Sequence, residues 1–264
     1  MTTSPRSVLL LLLGAALSAC GQTPSPTSLS PTSPALGAQA VSGDFSRWGM
    51  TWSPSTWKNG DPLFGCTFSK NNVTLGSGSD AAVYGWLDSS TCSEIKSNRW
   101  KTQGTRFGGD LYVPNVAGTT TTLFTYFNDG TVWNEIDVEF VPSRGSLHPA
   151  LIYRNGGSRY VYEAWIPAAS NAWHRVDVNW TASSIVWTLN GRVVFTMYRN
   201  ASLPLGATVV TGSGSSMQIP AAAWPTRSQQ LIANFWRGSN TADARGFLGS
   251  YGGGTGQAIW NNLY

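Results

Sequence analysis

The sequence predicts an all-β domain, an antiparallel sandwich or jelly roll. Short runs rich in β-branched and aromatic residues recur at a spacing of about ten residues with turn signals between them, and no long segment has helical periodicity. Asn190-Gly191 is a strong hairpin signal because both residues tolerate the positive φ angles of a type I′ turn. Asn155-Gly156-Gly157 is a second turn signal. Most of the chain's many aromatic side chains are therefore expected in the core of a sandwich.

The predicted strands lie in segments bounded by Gly, Asn, Ser or Pro. These segments are 72–75, 82–87, 106–113, 119–127, 133–141, 150–154, 160–166, 174–180, 184–189, 192–198 and 230–236.

The N-terminus predicts export. Arg6 precedes an apolar run at 8–13 that ends in small residues, which is the pattern of a signal peptide over residues 1–19. Leu17-Ser18-Ala19-Cys20 resembles a bacterial lipobox, which implies cleavage before Cys20 and lipidation of its sulfur; a chance cysteine is the alternative. Residues 20–44, rich in Pro, Ser and Thr, predict a flexible tether, and residues 45–264 one large folded domain.

Charge argues against nucleic acid as a partner. The formal net charge is +4 and charged residues make up 11% of the chain, with no cluster of Lys and Arg. Separately from charge, we expect contact with a membrane only through the N-terminal lipid, a location in the cell envelope or outside the cell, and a monomer.

Glu135-Ile136-Asp137-Val138-Glu139-Phe140 is the most informative segment. A strand period of two places Glu135, Asp137 and Glu139 on one face. An amphipathic edge strand with a solvated acidic face is the simpler interpretation. However, the whole chain has only 13 Asp plus Glu, so three on one strand are not a by-product of an acidic surface. Cleavage of a glycosidic bond by paired carboxylates is the chemistry that such a row favours.

Five blocks, in order, resemble glycoside hydrolase family 16, and within it the lichenase branch of endo-β-1,3-1,4-glucanases. The similarity runs from about Trp52 to the C-terminus. The matching segments are 59–68 with 71–74, 92–97, 124–126 with 133–140, 234–238 and 247–251.

This resemblance implies a jelly-roll sandwich of two curved antiparallel sheets, concanavalin-like, with a substrate cleft on the concave face. It implies retaining hydrolysis of β-1,3-1,4-glucan by double displacement, with Glu135 as nucleophile, Glu139 as acid/base and Asp137 assisting. A β-1,3-glucanase or xyloglucan-type hydrolase on the same scaffold is the alternative within enzymes. A lectin-like glycan-binding module without turnover is the alternative from another class, and a structural surface protein is a third.

The resemblance also places a set of β-glucan-binding residues. Aromatic members would stack on pyranose faces, and polar members would bind hydroxyls; for Phe124 and Trp133, core packing is the alternative. His148 and His174 match no motif and are expected to be structural. The implied substrate-binding residues are Asn59, Glu94, Phe124, Tyr126, Trp133, Tyr153, Asn234 and Trp236.

Lipidation of Cys20 leaves Cys66 and Cys92, which are expected to form a disulfide in an oxidising compartment; two reduced buried thiols are the alternative. No cofactor is expected. The family's lichenase branch binds a structural calcium ion, but Asn261 stands near the position of one Asp that helps to bind it. Other departures are Lys96 in place of Arg, Leu151 near a usual Asn, Phe247 in place of Trp, and a Gly- and Ser-rich insertion at 211–217.

Overall fold

The computed structural model describes residues 39–77, 80–206 and 216–264. The predicted signal peptide, Cys20 and most of the predicted tether lie outside these residues, as does most of the 211–217 insertion. Within the described ranges, no helix is long and apolar enough to cross a membrane.

The described chain is built almost entirely of strands. They are β1 (Gln39–Ala40), β2 (Phe45–Arg47), β3 (Met50–Pro54), β4 (Thr67–Phe68), β5 (Val73–Leu75), β6 (Val83–Leu87), β7 (Thr91–Lys101), β8 (Thr105–Val113), β9 (Thr119–Asn128), β10 (Val132–Val141), β11 (Ser146–Asn155), β12 (Arg159–Glu163), β13 (Ile166–Pro167), β14 (Ala172–Trp180), β15 (Ser184–Leu189), β16 (Arg192–Asn200), β17 (Ser216–Pro220), β18 (Gln229–Arg237) and β19 (Gly256–Asn261). Short 3₁₀ turns lie at Lys70–Asn72, Pro142–Arg144 and Ala221–Ala223, and α1 spans Ala242–Leu248.

The strands form two main sheets, which confirms the all-β prediction. The cleft sheet has the order β12-β11-β10-β9-β18-β7-β3-β2, with β13 paired to β11. The back sheet has the order β1-β5-β6-β19-β8-β14-β15-β16-β17. Neighbouring strands pair antiparallel, except that β16–β17 and the short β4–β7 pair are parallel.

Both predicted turns are present. Asn190 and Gly191 have φ angles of 50° and 79° between β15 and β16, as a type I′ turn requires. Gly156, with φ of 68°, follows Asn155 at the end of β11. The longest strand, β7, was not among the β-rich runs, because its charged and small polar residues have low strand propensity.

The N-terminal boundary of the domain needs correction. Gln39 and Ala40 pair with Leu75 and Thr74, and Val41 is 7% exposed within the core. The last residues of the predicted tether thus belong to the sandwich. An apolar side chain that adds to a core is stabilised by the water it excludes, even when the surrounding composition is typical of a linker.

The strand that carries the acids is fixed from behind. Ile136, Val138 and Phe140 point into the core between the sheets and are almost fully buried. Trp187 of the back sheet donates a hydrogen bond from Nε1 to the backbone oxygen of Asp137, at 2.8 Å. This bond satisfies two buried polar groups and ties the acidic strand to the opposite sheet.

Cys66 and Cys92 form the expected disulfide, with their Cα atoms 5.9 Å apart. It joins the segment that precedes β4 to β7 in the cleft sheet. The segment 57–65, which lies beside the cleft, is therefore covalently anchored at its end.

Candidate active site

One cleft of about 900 Å³ covers the outer face of the cleft sheet. Its floor follows the strand period. Because paired residues of neighbouring strands share a face, the side chains opposite Glu135, Asp137 and Glu139 also face the cleft. The floor residues are Glu94 and Lys96 of β7, Thr122, Phe124 and Tyr126 of β9, Trp133 and the three acids of β10, His148, Ala150 and Ile152 of β11, Arg159, Val161 and Glu163 of β12, and Gln230, Ile232, Asn234 and Trp236 of β18.

The three carboxylates of β10 line the cleft as predicted. Asp137 is 3% exposed, whereas Glu135 and Glu139 are partly open to the cleft. Trp133 donates a hydrogen bond from its indole Nε1 to Glu135 Oε2 at 2.6 Å. Asp137 also hydrogen-bonds Glu135. Glu135 is thus held by two neighbours on its own strand.

Burial and mutual repulsion retain protons in this row. Burial raises the pKa of Glu135 to about 8, and the charge of Glu139 adds to this effect against the opposing hydrogen bond from Trp133. Burial, followed by the charges of Glu135 and Glu139, raises the pKa of Asp137 well above its usual range. Adjacent buried carboxyls cannot all ionise, and Asp137, the most buried, retains its proton and donates to Glu135.

Glu139 contacts a histidine rather than another acid. Its Oε2 lies 2.8 Å from Nδ1 of His148, and Nε2 of His148 lies 2.8 Å from Oε2 of Glu163. Burial alone would lower the pKa of His148, but the hydrogen bonds to the two glutamates outweigh it and raise the pKa to about 9. The hydrogen bond to His148 lowers the pKa of Glu163. His148, which matched no motif, thus lines the cleft in contact with Glu139, whereas His174, bonded to Ala169 O, lies outside the cleft.

Aromatic rings form one part of the cleft floor. Tyr126 packs edge-on against Trp133 at 6.0 Å and against Phe124 at 6.4 Å. Arg159 lies over the Trp133 ring at 5.4 Å and pairs with Asp61 at 3.8 Å. Phe124 is 9% exposed, so most of its surface packs inside the protein, whereas Tyr126 and Trp133 are half-buried.

Polar side chains form a second part. Glu94 accepts hydrogen bonds from Ser55 Oγ at 2.6 Å, Trp57 Nε1 at 3.1 Å and Asn234 Nδ2 at 3.2 Å. Lys96, the residue in place of Arg, lies 3.4 Å from the same carboxylate. Glu94 therefore holds cleft residues in position, and Trp57, 40% exposed, presents its ring to the cleft.

The remaining predicted positions lie along the 57–65 segment and β18. Asn59 lines the cleft, and its Oδ1 accepts a hydrogen bond from Asp61 N at 2.9 Å. Trp236 stacks on Phe64 with ring centroids 3.9 Å apart, and is 4% exposed. Its ring is thus largely covered by Phe64, which presents its own surface to the cleft.

Tyr153 is the one predicted substrate-binding residue that the structure places elsewhere. It pairs with Asn134, which faces away from the acids, so its side chain lies on the core side of β11. Tyr153 is 6% exposed and belongs to the core. The prediction was wrong because it assigned the residue by motif without the register of β11 on β10, and a shift of one position changes the face.

Sequence reasoning missed His148, Glu163, Arg159 and Trp57. The sequence did contain a signal for His148. Pro142-Ser143-Arg144-Gly145 is typical of a tight turn, and an antiparallel pair of strands joined by a turn centred there has His148 opposite Glu139. No comparable local signal marks Trp57 or Arg159.

The structure does not favour a calcium site at Asn261. Its side-chain oxygen already accepts hydrogen bonds from Trp48 Nε1 at 3.2 Å and Asn262 N at 2.9 Å. Within the described ranges, no group of three His, Cys, Asp or Glu side chains is arranged to hold a metal ion. The side-chain oxygen of Asn261 is thus already engaged by two hydrogen-bond donors.

A β-sandwich whose cleft carries three carboxylates on one strand, between aromatic and polar side chains, is typical of a glycoside hydrolase. A family model for glycosyl hydrolases family 16 matches residues 61–249, and the chain belongs to this family. The fold prediction, a jelly roll with its cleft on one sheet, is confirmed.

Known proteins of this kind are similar over most of the chain. The β-glucanase of Bacillus amyloliquefaciens is 27% identical, covering 94% of this chain and 92% of that protein. The structure of Bacillus licheniformis β-glucanase superposes with a TM-score of 0.61 at 23% identity, covering 84% of this chain and 96% of that one. A family 16 protein of the mixed linkage glucan PUL of Bacteroides ovatus, in complex with G4G4G3G product, superposes with a TM-score of 0.60 at 13% identity. The match covers 86% of this chain and 98% of that one.

Proposed function

We propose that this glycoside hydrolase is a retaining endo-β-glucanase and that its substrate is mixed-linkage β-1,3-1,4-glucan. The observation that carries the proposal is the row of Glu135, Asp137 and Glu139 along one strand, open to a cleft of about 900 Å³. That volume is at the upper end for small-molecule sites and has room for several sugar rings. The similarity to proteins named β-glucanases supports the substrate class.

The charges of the cleft favour an uncharged polysaccharide. Carboxylates outnumber the basic side chains along its walls, although the whole chain carries a formal net charge of +4. Negative groups repel a sulfated or uronic acid polymer, whereas neutral hydroxyls hydrogen-bond to them. The acidic wall residues are Asp61, Glu94, Glu135, Asp137, Glu139, Glu163 and Asp243, and the basic ones are Lys96 and Arg159 with His148.

The proposed reaction uses two of the acids in turn. Glu135 attacks the anomeric carbon while the proton of Glu139 passes to the leaving oxygen, and a glycosyl ester on Glu135 forms as the glycosidic bond breaks. Glu139 then takes a proton from water, whose oxygen bonds to the anomeric carbon and releases Glu135. Asp137 hydrogen-bonds Glu135 and retains its proton, so that the charge of the row rests on Glu135 when substrate binds.

Geometry sets a requirement on the two glutamates. Their Cα atoms are four residues apart on one strand, about 13 Å by strand rise, whereas retention requires carboxyl groups about 5 to 5.5 Å apart. The side chains must therefore lean toward each other above Asp137. Trp133 holds Glu135 from one side, and His148 contacts Glu139 from the neighbouring strand.

Product analysis on barley β-glucan, laminarin, xyloglucan and agarose tests the proposal. We expect rapid cleavage of barley β-glucan to short oligosaccharides, with the β-anomer as first product by NMR. Glu135→Ala with azide is expected to give the α-glycosyl azide. A preference for laminarin or xyloglucan would instead assign one of the alternative glucanases. Binding of a glucan with no cleavage of any substrate would identify a lectin-like module and refute the proposal.

We further propose that the protein is exported and anchored through lipid on Cys20, with no contact with the membrane beyond that lipid and with no cofactor. The multiple acyl chains of a bacterial lipoprotein anchor firmly, and a tether rich in Pro and Ser would let the domain reach polymer away from the membrane. Cys20→Ser is expected to abolish lipid labelling and release the protein from the membrane fraction. Unchanged fractionation, with a native N-terminus elsewhere, would refute the anchor.

A further inference from the structure

His148 is a buried histidine that the two-glutamate reaction does not use. It is 3% exposed, and both of its ring nitrogens lie 2.8 Å from carboxylate oxygens, of Glu139 and of Glu163. An imidazole donates from both nitrogens only as the cation. When both contacting carboxylate oxygens are unprotonated, the ring must donate twice and is an imidazolium; a neutral ring would need a proton on one of those oxygens instead.

The ring is clamped between aromatic groups. Trp165 lies 4.4 Å from it at an interplanar angle of 31°, and Phe247 packs edge-on at 5.1 Å. The guanidinium carbon of Arg144 lies over the Trp165 ring, 4.2 Å from the ring centroid. A cation packed against an aromatic face is stabilised electrostatically, and the clamp fixes the ring plane.

We propose that His148, bridged to Glu163, is a positioning residue for Glu139: it binds Oε2, leaves Oε1 to exchange the proton with the glycosidic oxygen, and places a positive charge beside the carboxylate that forms. This inference rests on the proposed function. Within the described chain, Oε1 of Glu139 makes no hydrogen bond to protein, which agrees with a free reacting oxygen.

The charge of His148 acts on the step in which Glu139 loses its proton. The proton of Oε1 passes to the leaving oxygen, and the resulting carboxylate stays in a partly buried site beside two other acids. An adjacent imidazolium stabilises that carboxylate as it forms, through its charge and the hydrogen bond to Oε2. His148 keeps its own protons through both half-reactions, so atoms and charge balance without it.

The charged groups in contact with His148 are both glutamates. The high pKa of the ring, about 9, follows from the two glutamates outweighing burial. Glu139 on β10 and Glu163 on β12 contact the ring, Arg144 lies over Trp165, which packs on the ring, and the same cleft holds Glu135, Asp137 and Asp243. Acids predominate, so the surroundings favour the cation.

Nuclear magnetic resonance tests the charge state without any turnover. The chain has only two histidines, so a tag-free protein labelled with ¹⁵N-histidine gives two imidazole spin systems. His174→Gln assigns them. We expect His148 to remain doubly protonated at pH 8 and Glu163→Gln to lower its titration midpoint. Burial lowers the pKa of His174, which should be neutral at pH 7. A neutral His148 at pH 7 would overturn the proposal.

Kinetics test the coupling to Glu139. His148→Gln keeps a polar side chain but removes the charge, so the carboxylate that forms on Glu139 loses its cationic partner. The alkaline limb of kcat/KM on β-glucan is expected to move up by about one pH unit or more. At pH 7, kcat/KM should fall at least tenfold on polysaccharide, but less than about twofold on a 2,4-dinitrophenyl oligosaccharide, whose leaving group needs no proton.

The matched control is His174→Gln, which removes the other buried histidine and should leave the pH profile in place. If His148→Gln does not fold, Glu163→Gln carries the test with a smaller shift in the same direction. Equal losses on both substrates with an unmoved alkaline limb would show a structural role only. If the wild-type protein cleaves no glucan, the proposed function fails, while the spectroscopic experiment still decides the charge of His148.

Discussion

Glu135→Gln is expected to stabilise the protein while it abolishes activity. The substitution keeps the shape of the side chain and an oxygen that can accept the hydrogen bond from Trp133, now 2.6 Å from Glu135 Oε2. It removes the ionisation and replaces the second oxygen by an amide NH2, toward which Asp137 must accept rather than donate. A carboxyl that ionises within a buried acidic row costs stability in the folded state, and such cost is common at catalytic sites.

The expected gain in unfolding free energy follows from the pKa of Glu135. Burial raises the pKa of Glu135 from 4.5 to about 8, which corresponds to about 5 kcal/mol of unfolding free energy lost once the group is ionised in both states. Because Glu135 shares protons with Asp137 and the cleft admits water, we expect about 2 kcal/mol, or about 4 to 8 °C in Tm.

The size of the stability difference depends on pH. Below pH 4.5 the carboxyl is protonated in the folded and unfolded states, so wild type and variant should be equally stable. As pH rises from 4.5 to 8 the unfolded state ionises first, and the wild type loses stability relative to Glu135→Gln. Above pH 8 the difference is constant.

Urea unfolding at pH 4, 6 and 8 measures this difference, and kcat on barley β-glucan measures activity. The variant should lose activity by about 10⁴-fold or more. Gln230→Glu, on the same cleft floor, is a control that adds an acid and should shift stability in the opposite direction. An equal or lower stability of Glu135→Gln at pH 8 would show that the carboxyl is not held in a costly environment.

Three further predictions concern separate parts of the molecule. Replacing Cys66 and Cys92 by Ser opens a loop with a sequence separation of 26 and is expected to cost about 3 kcal/mol by urea unfolding; an unchanged midpoint under non-reducing conditions would contradict it. Asp88, whose pKa is lowered to about 2 by hydrogen bonds from backbone groups, stabilises the folded state above pH 4, so Asp88→Asn should destabilise by about 1 kcal/mol at pH 7 and by much less at pH 2. Trp133→Phe, which removes the indole donor to Glu135, should lower kcat at least tenfold, whereas Tyr153→Phe on the core side should change it less than twofold; the reverse order would refute the placement of these rings.

The sequence by itself determined the local part of this protein. Alternation in 135–140 places Glu135, Asp137 and Glu139 on one side of a strand whatever surrounds it, because successive side chains point to opposite faces. Asn190-Gly191 likewise determined its hairpin, since few dipeptides accept two positive φ angles. Periodicity and turn chemistry depend on neighbours in the chain and are therefore readable without the fold.

Only the tertiary structure decided which residues meet the acids. The register of β11 on β10 places His148 opposite Glu139 and puts Tyr153 on the core side, and a slip of one residue would exchange those faces. Glu163 reaches His148 only because β12 pairs with β11, and Val41 joins the core only because β1 pairs with β5. The raised pKa of Glu135 has the same origin: burial by walls from distant segments, which no local pattern encodes.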